Sequence, residues 1–189
     1  YNTLGFIGVA AFAAVMPFVI MTGMHGAFVP YLMQMLTVDP LYEPIFFPAL
    51  IISNIDQGIA ALAVALKTKD TNLKSTGFST AVTAVVAGVT EPAMFGVNLK
   101  YMFPFVCAMI GSSLAGLLSV VTNCTANAVG VGGLPGILSM QPDSWAMFAV
   151  CMLIVLVVPF VLTVIVGSKK GIREEAEASA AEIRAELAA

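Results

Sequence analysis

Charged side chains are scarce along most of this 189-residue chain: they make up 10% of it, and nine of the nineteen lie beyond Val166. Soluble domains carry roughly 25%, so the first 166 residues do not have the surface of a water-soluble domain. Histidine occurs once, at His25, and tryptophan once, at Trp145. Cys107, Cys124 and Cys151 show no CxxC spacing and have no histidine cluster beside them. That excludes the usual metal and disulfide patterns and leaves thiols packed as small hydrophobes. No basic patch offers a surface for nucleic acid. No internal repeat is visible, so no inverted-repeat symmetry can be read. The opening Tyr1-Asn2-Thr3 carries neither an initiator methionine nor a signal-peptide pattern, and the chain is expected to be part of a longer one.

Apolar side chains take up 59% of the chain, with a mean hydropathy of +0.97. They recur as long runs at 4–23, 45–66, 77–95, 101–121 and 145–166, the pattern of an all-α polytopic membrane protein. Pro17 predicts a kink in the first run. Tyr31 and Tyr42, in a mixed segment at 29–43 with Pro30, Asp39 and Pro40, suit a membrane–water boundary, as does Trp145. The second run is interrupted by Ser53-Asn54-Ile55-Asp56-Gln57-Gly58. Asn54, Asp56 and Gln57 cannot all face lipid, so they line a path or seal a helix seam around a buried acid. Gly111-Ser112-Ser113 with Ala115-Gly116 forms a small-residue patch suited to close helix packing.

Basic residues set the topology. Lys67, Lys69 and Lys74 mark one cytoplasmic loop, and Lys169, Lys170 and Arg173 mark another. If 77–95 crossed the membrane fully, the second cluster would fall outside. If that run dips in and returns, both clusters lie inside, with Lys100 at the cytoplasmic foot of the next span. The expectation is about four transmembrane helices plus one or two re-entrant hairpins, one of them carrying Glu91 at its tip or returning arm. His25 then lies toward the outer half. The Gly- and Asn-rich segment 122–141 stays on the outer side, with enough glycine for a second partial dip. Residues 1–167 form the membrane portion, and 168–189 a cytoplasmic helical tail or linker.

Within the third run, Gly88-Val89-Thr90-Glu91-Pro92-Ala93-Met94-Phe95-Gly96 sets a carboxylate and a helix-breaking proline at membrane depth. An acid there is costly and faces a partner, a cavity or a substrate. Backbone freed by proline and glycine must be buried in protein or border water. The stretch is a candidate substrate-contacting turn; the alternative is a structural carboxylate that caps freed amides or pairs with Lys100. His25, with an unperturbed pKa of about 6.5, is either a substrate-contacting group or an interfacial residue. Asn98 is a candidate neutral binder of hydroxyls. The run at 129–136 lacks the Gly-Lys-Ser/Thr ending of a phosphate loop, so it predicts close helix approach or a second hairpin.

The stretch 88–99 resembles the signature of the membrane (IIC) domain of bacterial phosphoenolpyruvate-dependent phosphotransferase-system sugar permeases. The branch is the sucrose, trehalose and β-glucoside one of the glucose superfamily. Thr22-Gly23-Met24-His25-Gly26 upstream and Val129-Gly130-Val131-Gly132-Gly133-Leu134-Pro135-Gly136-Ile137-Leu138 downstream agree in order and spacing. The resemblance covers 4–167, and around 98–101 and 129–138 it is nearest to trehalose permeases. It implies a multi-pass protein of the bacterial cytoplasmic membrane, C-terminus inside, that imports a disaccharide by group translocation. A IIB domain carrying phosphocysteine, supplied by IIA and the phosphocarrier HPr, would phosphorylate the sugar at a 6-hydroxyl. The resemblance thus implies a sugar phosphotransferase without cofactor or metal.

By the family's pattern Glu91 and His25 act in sugar binding and phosphorylation. Thr90, Asn98 and Asn54 are the further substrate-binding candidates. No IIB phosphocysteine motif occurs in this sequence, and the N-terminal spans that build the family's homodimer interface are not in it. The chain is therefore expected to be a C-terminal portion, inactive by itself. Two other readings stand beside this one. A proton-coupled secondary sugar transporter would use Glu91 as its coupling site. A membrane scaffold without transport fits the clustered polar residues poorly.

Overall fold

The computed structural model describes residues 5–37 and 46–170; Asp39, Pro40, interfacial Tyr42 and the expected tail from 171 onward lie outside the described residues. Among the described residues the protein is helical, with one isolated antiparallel bridge between Ala126 and Met140. Helix α1 (Gly5–Met21) contains Pro17. It ends before Gly23, whose φ of 73° suits glycine, and a 3-10 turn, Met24–Phe28, leads into α2 (Val29–Thr37). Ala10–Met21 and Met24–Tyr31 together are apolar enough for a span but are bent by 117°.

Helix α3 (Phe46–Lys67) is the axis of the fold. Its side chains are buried on almost every side, including polar Ser53, Asn54, Asp56 and Gln57. The helix runs unbroken through this polar stretch, and Asn54, Asp56 and Gln57 find partners on neighbouring elements, as the expected helix seam requires. The Asp56 carboxylate accepts a hydrogen bond from the Ser112 hydroxyl of α7 (Phe103–Val121). Both residues are fully buried, which assigns Asp56 to the seam rather than to a path.

Gly111, the residue before Ser112, lies against α8 (Trp145–Lys170): a Cβ there would come within 2.6 Å of Pro159 Cγ. The small-residue patch thus lets α7 pack tightly on α8 while holding α3. Phe103–Val121, Phe46–Lys67 and Pro142–Gly167 are each long and apolar enough to cross a membrane, and the bent pair, counted as one broken span, brings the number to four among the described residues.

Between α3 and α7 the chain forms a hairpin. Asp70 starts its first arm by accepting hydrogen bonds from the amides of Asn72 (2.8 Å) and Leu73 (3.3 Å), a standard N-cap. The arm is α4 (Thr71–Val82) continued by a π turn, Thr83–Ala87. It runs antiparallel to α3, with Gly77 against Ala65 and Gly58 against Ala84 and Val85, where added Cβ atoms would sit 2.7–2.9 Å away. The returning arm comprises α5 (Glu91–Ala93), a π turn, Met94–Asn98, and α6 (Leu99–Tyr101). Leu73 at the start of the hairpin and Val97 and Tyr101 at its end share one apolar cluster with Ala61 and Val64 of α3. The hairpin therefore enters and leaves at the Lys67 end of α3, the re-entrant path that the lysine distribution predicts.

This packing makes Gly111 sensitive to a single methyl group. Gly111→Ala should lower the detergent unfolding midpoint, because overpacking costs about 1–3 kcal/mol and exceeds the gain in helix propensity. Gly96→Ala is the control, since its Cβ would meet only Thr76 Cγ2 at 3.4 Å. Equal midpoints for the two variants would contradict the tight crossing.

Candidate functional site

Gly88 ends the first arm in the left-handed region, with φ 74° and ψ 22°. Residues 88–90 then turn the chain, and Thr90 precedes the short helix that carries Glu91 and Pro92. Pro92 costs nothing there, because the first turn of a helix has amides without internal partners. The turn lies beside Asn54, which is about 12 Å along α3 from its start at Phe46. Thr90 Oγ1 donates to Asn54 Oδ1 at 3.5 Å, the long end of hydrogen-bond range.

A second element meets the turn from the other side. After α7, segment 122–144 is pinned at its base by the Ala126–Met140 bridge, by Gln141 N donating to Thr125 O (2.9 Å) and by Asn127 N donating to Ser139 O (3.0 Å). The glycine-rich stretch between these pins folds inward. Asn54 Nδ2 donates to Gly132 O at 3.2 Å. An added Cβ on Gly88 would lie 2.5 Å from the Gly132 carbonyl carbon, and one on Gly133 would strike the Val85 and Val86 carbonyls. The expected second partial dip is present, and it closes on the tip of the hairpin.

Thr90, Asn54 and Asn98 are all buried. Asn98 Nδ2 donates to Gln57 O (2.9 Å) and Gln57 Oε1 (2.7 Å), tying the returning arm to α3. Gln57 Nε2 and Asn98 Oδ1 remain without partners in this pairing, one donor and one acceptor side by side. Glu91 is half-buried. Lys100, its alternative structural partner in the sequence, instead points its ammonium at the Tyr101 ring, 5.5 Å from the centroid.

His25 does not join this cluster. Its 3-10 turn is held by α1, α2 and Phe28, which stacks on Phe46 at 5.0 Å and 23°. His25 is half-buried, and Nδ1 is buried without a hydrogen-bond partner. The structure thus joins Thr90, Asn54 and Asn98 to α3, with Glu91 next to Thr90, and leaves His25 at the start of that helix. Sequence reasoning missed the Asn98–Gln57 pair and the Gly132 carbonyl, although it singled out the glycine run itself.

Residues 1–112 match the family described as Phosphotransferase system, EIIC. The chain is 42% identical over 176 residues to the sucrose-specific EIIBC component of Pasteurella multocida, covering 93% of this chain and 37% of that protein. It is 42% identical over 164 residues to the trehalose-specific EIIBC component of Escherichia coli, covering 87% and 34%. It is 35% identical over 170 residues to the sucrose-specific EIIBCA component of Pediococcus pentosaceus, covering 89% and 26%. The chain therefore spans between about a quarter and somewhat over a third of the length of these relatives. No solved structure matches it.

The meeting of the two loops is directly testable. Gly88→Ala puts a side chain into a left-handed position and against Gly132, so it should detach the glycine-rich loop. Limited proteolysis within 129–136 should then be faster than in the parent protein. Unchanged cleavage would mean that the loop does not depend on the turn.

Proposed function

The chain belongs to the EIIC family of the phosphotransferase system, and from that premise we propose that it holds a disaccharide while a partner domain phosphorylates it. The observation that carries this reading is the hairpin turn packed against α3, where half-buried Glu91 follows buried Thr90 beside Asn54. Trehalose is the favoured sugar, with sucrose or a β-glucoside next. One relative named for sucrose and one named for trehalose are each 42% identical, and another named for trehalose is 44% identical over 141 residues.

Sugar hydroxyls need both donors and acceptors, and the buried, unpartnered Gln57 Nε2 and Asn98 Oδ1 are one of each behind the turn. Glu91 accepts from hydroxyls, and its carboxylate takes the proton of the attacking 6-hydroxyl as the new bond forms. The phosphorus–sulfur bond of a phosphocysteine on the IIB domain breaks, and the sugar oxygen bonds to phosphorus. Such a loose transition state asks mainly for positioning, which a turn held on two sides supplies. His25 contributes a hydrogen bond to the sugar from the start of α3. IIA and HPr supply the phosphoryl group to IIB. The protein works in the bacterial cytoplasmic membrane as a homodimer through N-terminal spans of the permease. Its hairpin foot and C-terminus face the cytoplasm, as the lysine distribution favours.

A proton-coupled sugar transporter with Glu91 as its coupling site is the second reading, favoured by a half-buried carboxylate without an ion pair among the described residues. Vesicles carrying the complete permease separate the two. Sugar phosphate should accumulate with phosphoenolpyruvate and the phosphocarrier proteins, and a proton gradient alone should drive no uptake. Unmodified sugar accumulating under the gradient would contradict the proposal. Glu91→Gln should lower sugar-phosphate formation about 100-fold, within the range for general acid–base groups, with membrane insertion intact. Normal formation would remove Glu91 from the chemistry. His25→Ala should weaken binding of labelled trehalose, and an unchanged affinity would reject that role.

A further inference from the structure

Away from the hairpin turn, α7 and α8 form an open-sided cavity of about 380 Å³ at the end of the bundle where α3 finishes. Its lining includes Tyr101, Val106, Cys107, Ile110, Leu162 and Val166. These side chains are apolar apart from the Tyr101 hydroxyl and the Cys107 thiol. None of the candidate sugar-site residues lines it, and its lining differs from theirs in chemistry.

Two observations identify that ligand. Val106 and Ile110 are half-exposed, and they begin a stripe that continues through Leu114, Leu117 and Val121 along one face of α7. The spacing of three and four residues keeps this stripe on one side of the helix. On α8, Leu153, Val157, Val161 and Ile165 form a matching exposed row. Outward apolar rows on two helices long and apolar enough to cross a membrane suit contact with hydrocarbon, and the cavity opens from the end of one of them.

The second observation is charge. Lys100 is exposed, and its ammonium lies 5.5 Å from the centroid of Tyr101, a lining residue. Among the described residues Lys100 has no carboxylate partner, and the chain turns sharply at Met102 (φ 60°) into α7. The N-terminal end of α7, with its partial positive charge, begins beside this lysine. An apolar cavity with a cation at its rim matches an acyl chain joined to an anionic headgroup.

We propose that this cavity holds one acyl chain of an anionic phospholipid, with the headgroup phosphate at Lys100. The site stands independently of the sugar-binding reading. The lipid fills the space between α7 and α8 at the foot of the hairpin, and it ties that foot to the charged face of the membrane.

Cys107 provides a reporter inside the cavity. The complete permease would be placed in nanodiscs of phosphatidylcholine alone or mixed with phosphatidylglycerol. Alkylation of Cys107 by a membrane-permeant maleimide would be followed by peptide mass spectrometry. The phosphatidylglycerol discs should slow the reaction about fivefold, the effect of one lysine near an anionic surface. Lys100→Gln should abolish the difference between the two lipids. Ile110→Phe should fill the cavity and make alkylation slow in both, and Val106→Phe is a second filling variant should the first fail to fold. Equal rates for the parent protein in the two lipids would overturn the proposal. So would slow rates that Lys100→Gln does not change, since these mean the cavity is covered by another part of the protein.

Discussion

The side chain of Asn54 holds together the two irregular segments on which the candidate site is built. Its amide nitrogen donates to Gly132 O, and its oxygen accepts from Thr90. A bilayer offers no water to satisfy the backbone freed at 88–90 and 129–136, so the only stable solution packs the two against each other and against protein. Glycines at 88 and 133 permit that contact, because a side chain at either would strike the facing backbone, and a Cβ on Gly132 would strike the Asn54 amide. The outcome is a loop junction beside a continuous helix.

Polar residues on α3 divide their tasks by direction. Asp56 turns to Ser112 and closes the seam with α7, Gln57 turns to Asn98 on the returning arm, and Asn54 turns to the junction. Successive helix positions differ by about 100°, so three neighbouring elements are engaged within one turn of helix. A buried polar side chain left alone costs about 1–3 kcal/mol. The same pairings that remove this cost also set where Glu91 stands relative to the helix.

The membrane class, the re-entrant hairpin and the inward dip of the second loop were legible in the sequence, each for a local reason. Hydropathy marks the spans, and lysines at 67, 69, 74 and 100 mark one side. Proline and glycine around Glu91 mark a turn that lipid cannot bear. What was not legible is pairing at long range. Asn54 reaches a carbonyl 78 positions away, and Asn98 reaches Gln57 from 41, and no local pattern encodes either partner. The polar stretch 53–58 breaks the apolar pattern of its span, and sequence shows these polar groups but not the neighbours that satisfy them. Of Asn54, Asp56 and Gln57, each a candidate for path or seam, only Asp56 is assigned, by its contact with Ser112. His25 and Glu91 were grouped by family pattern, whereas the structure sets His25 on the turn between α1 and α2 and Glu91 on the hairpin beside Asn54.

The central claim is that sugar is held at the junction of the hairpin turn with α3. The most direct measurement is photolabelling of the complete permease with a diazirine-bearing disaccharide, followed by peptide mapping. The account predicts labels within 88–98 and 53–57, suppressed by excess unmodified sugar. Competable labelling confined to other segments, with none on the turn or on α3, would contradict it.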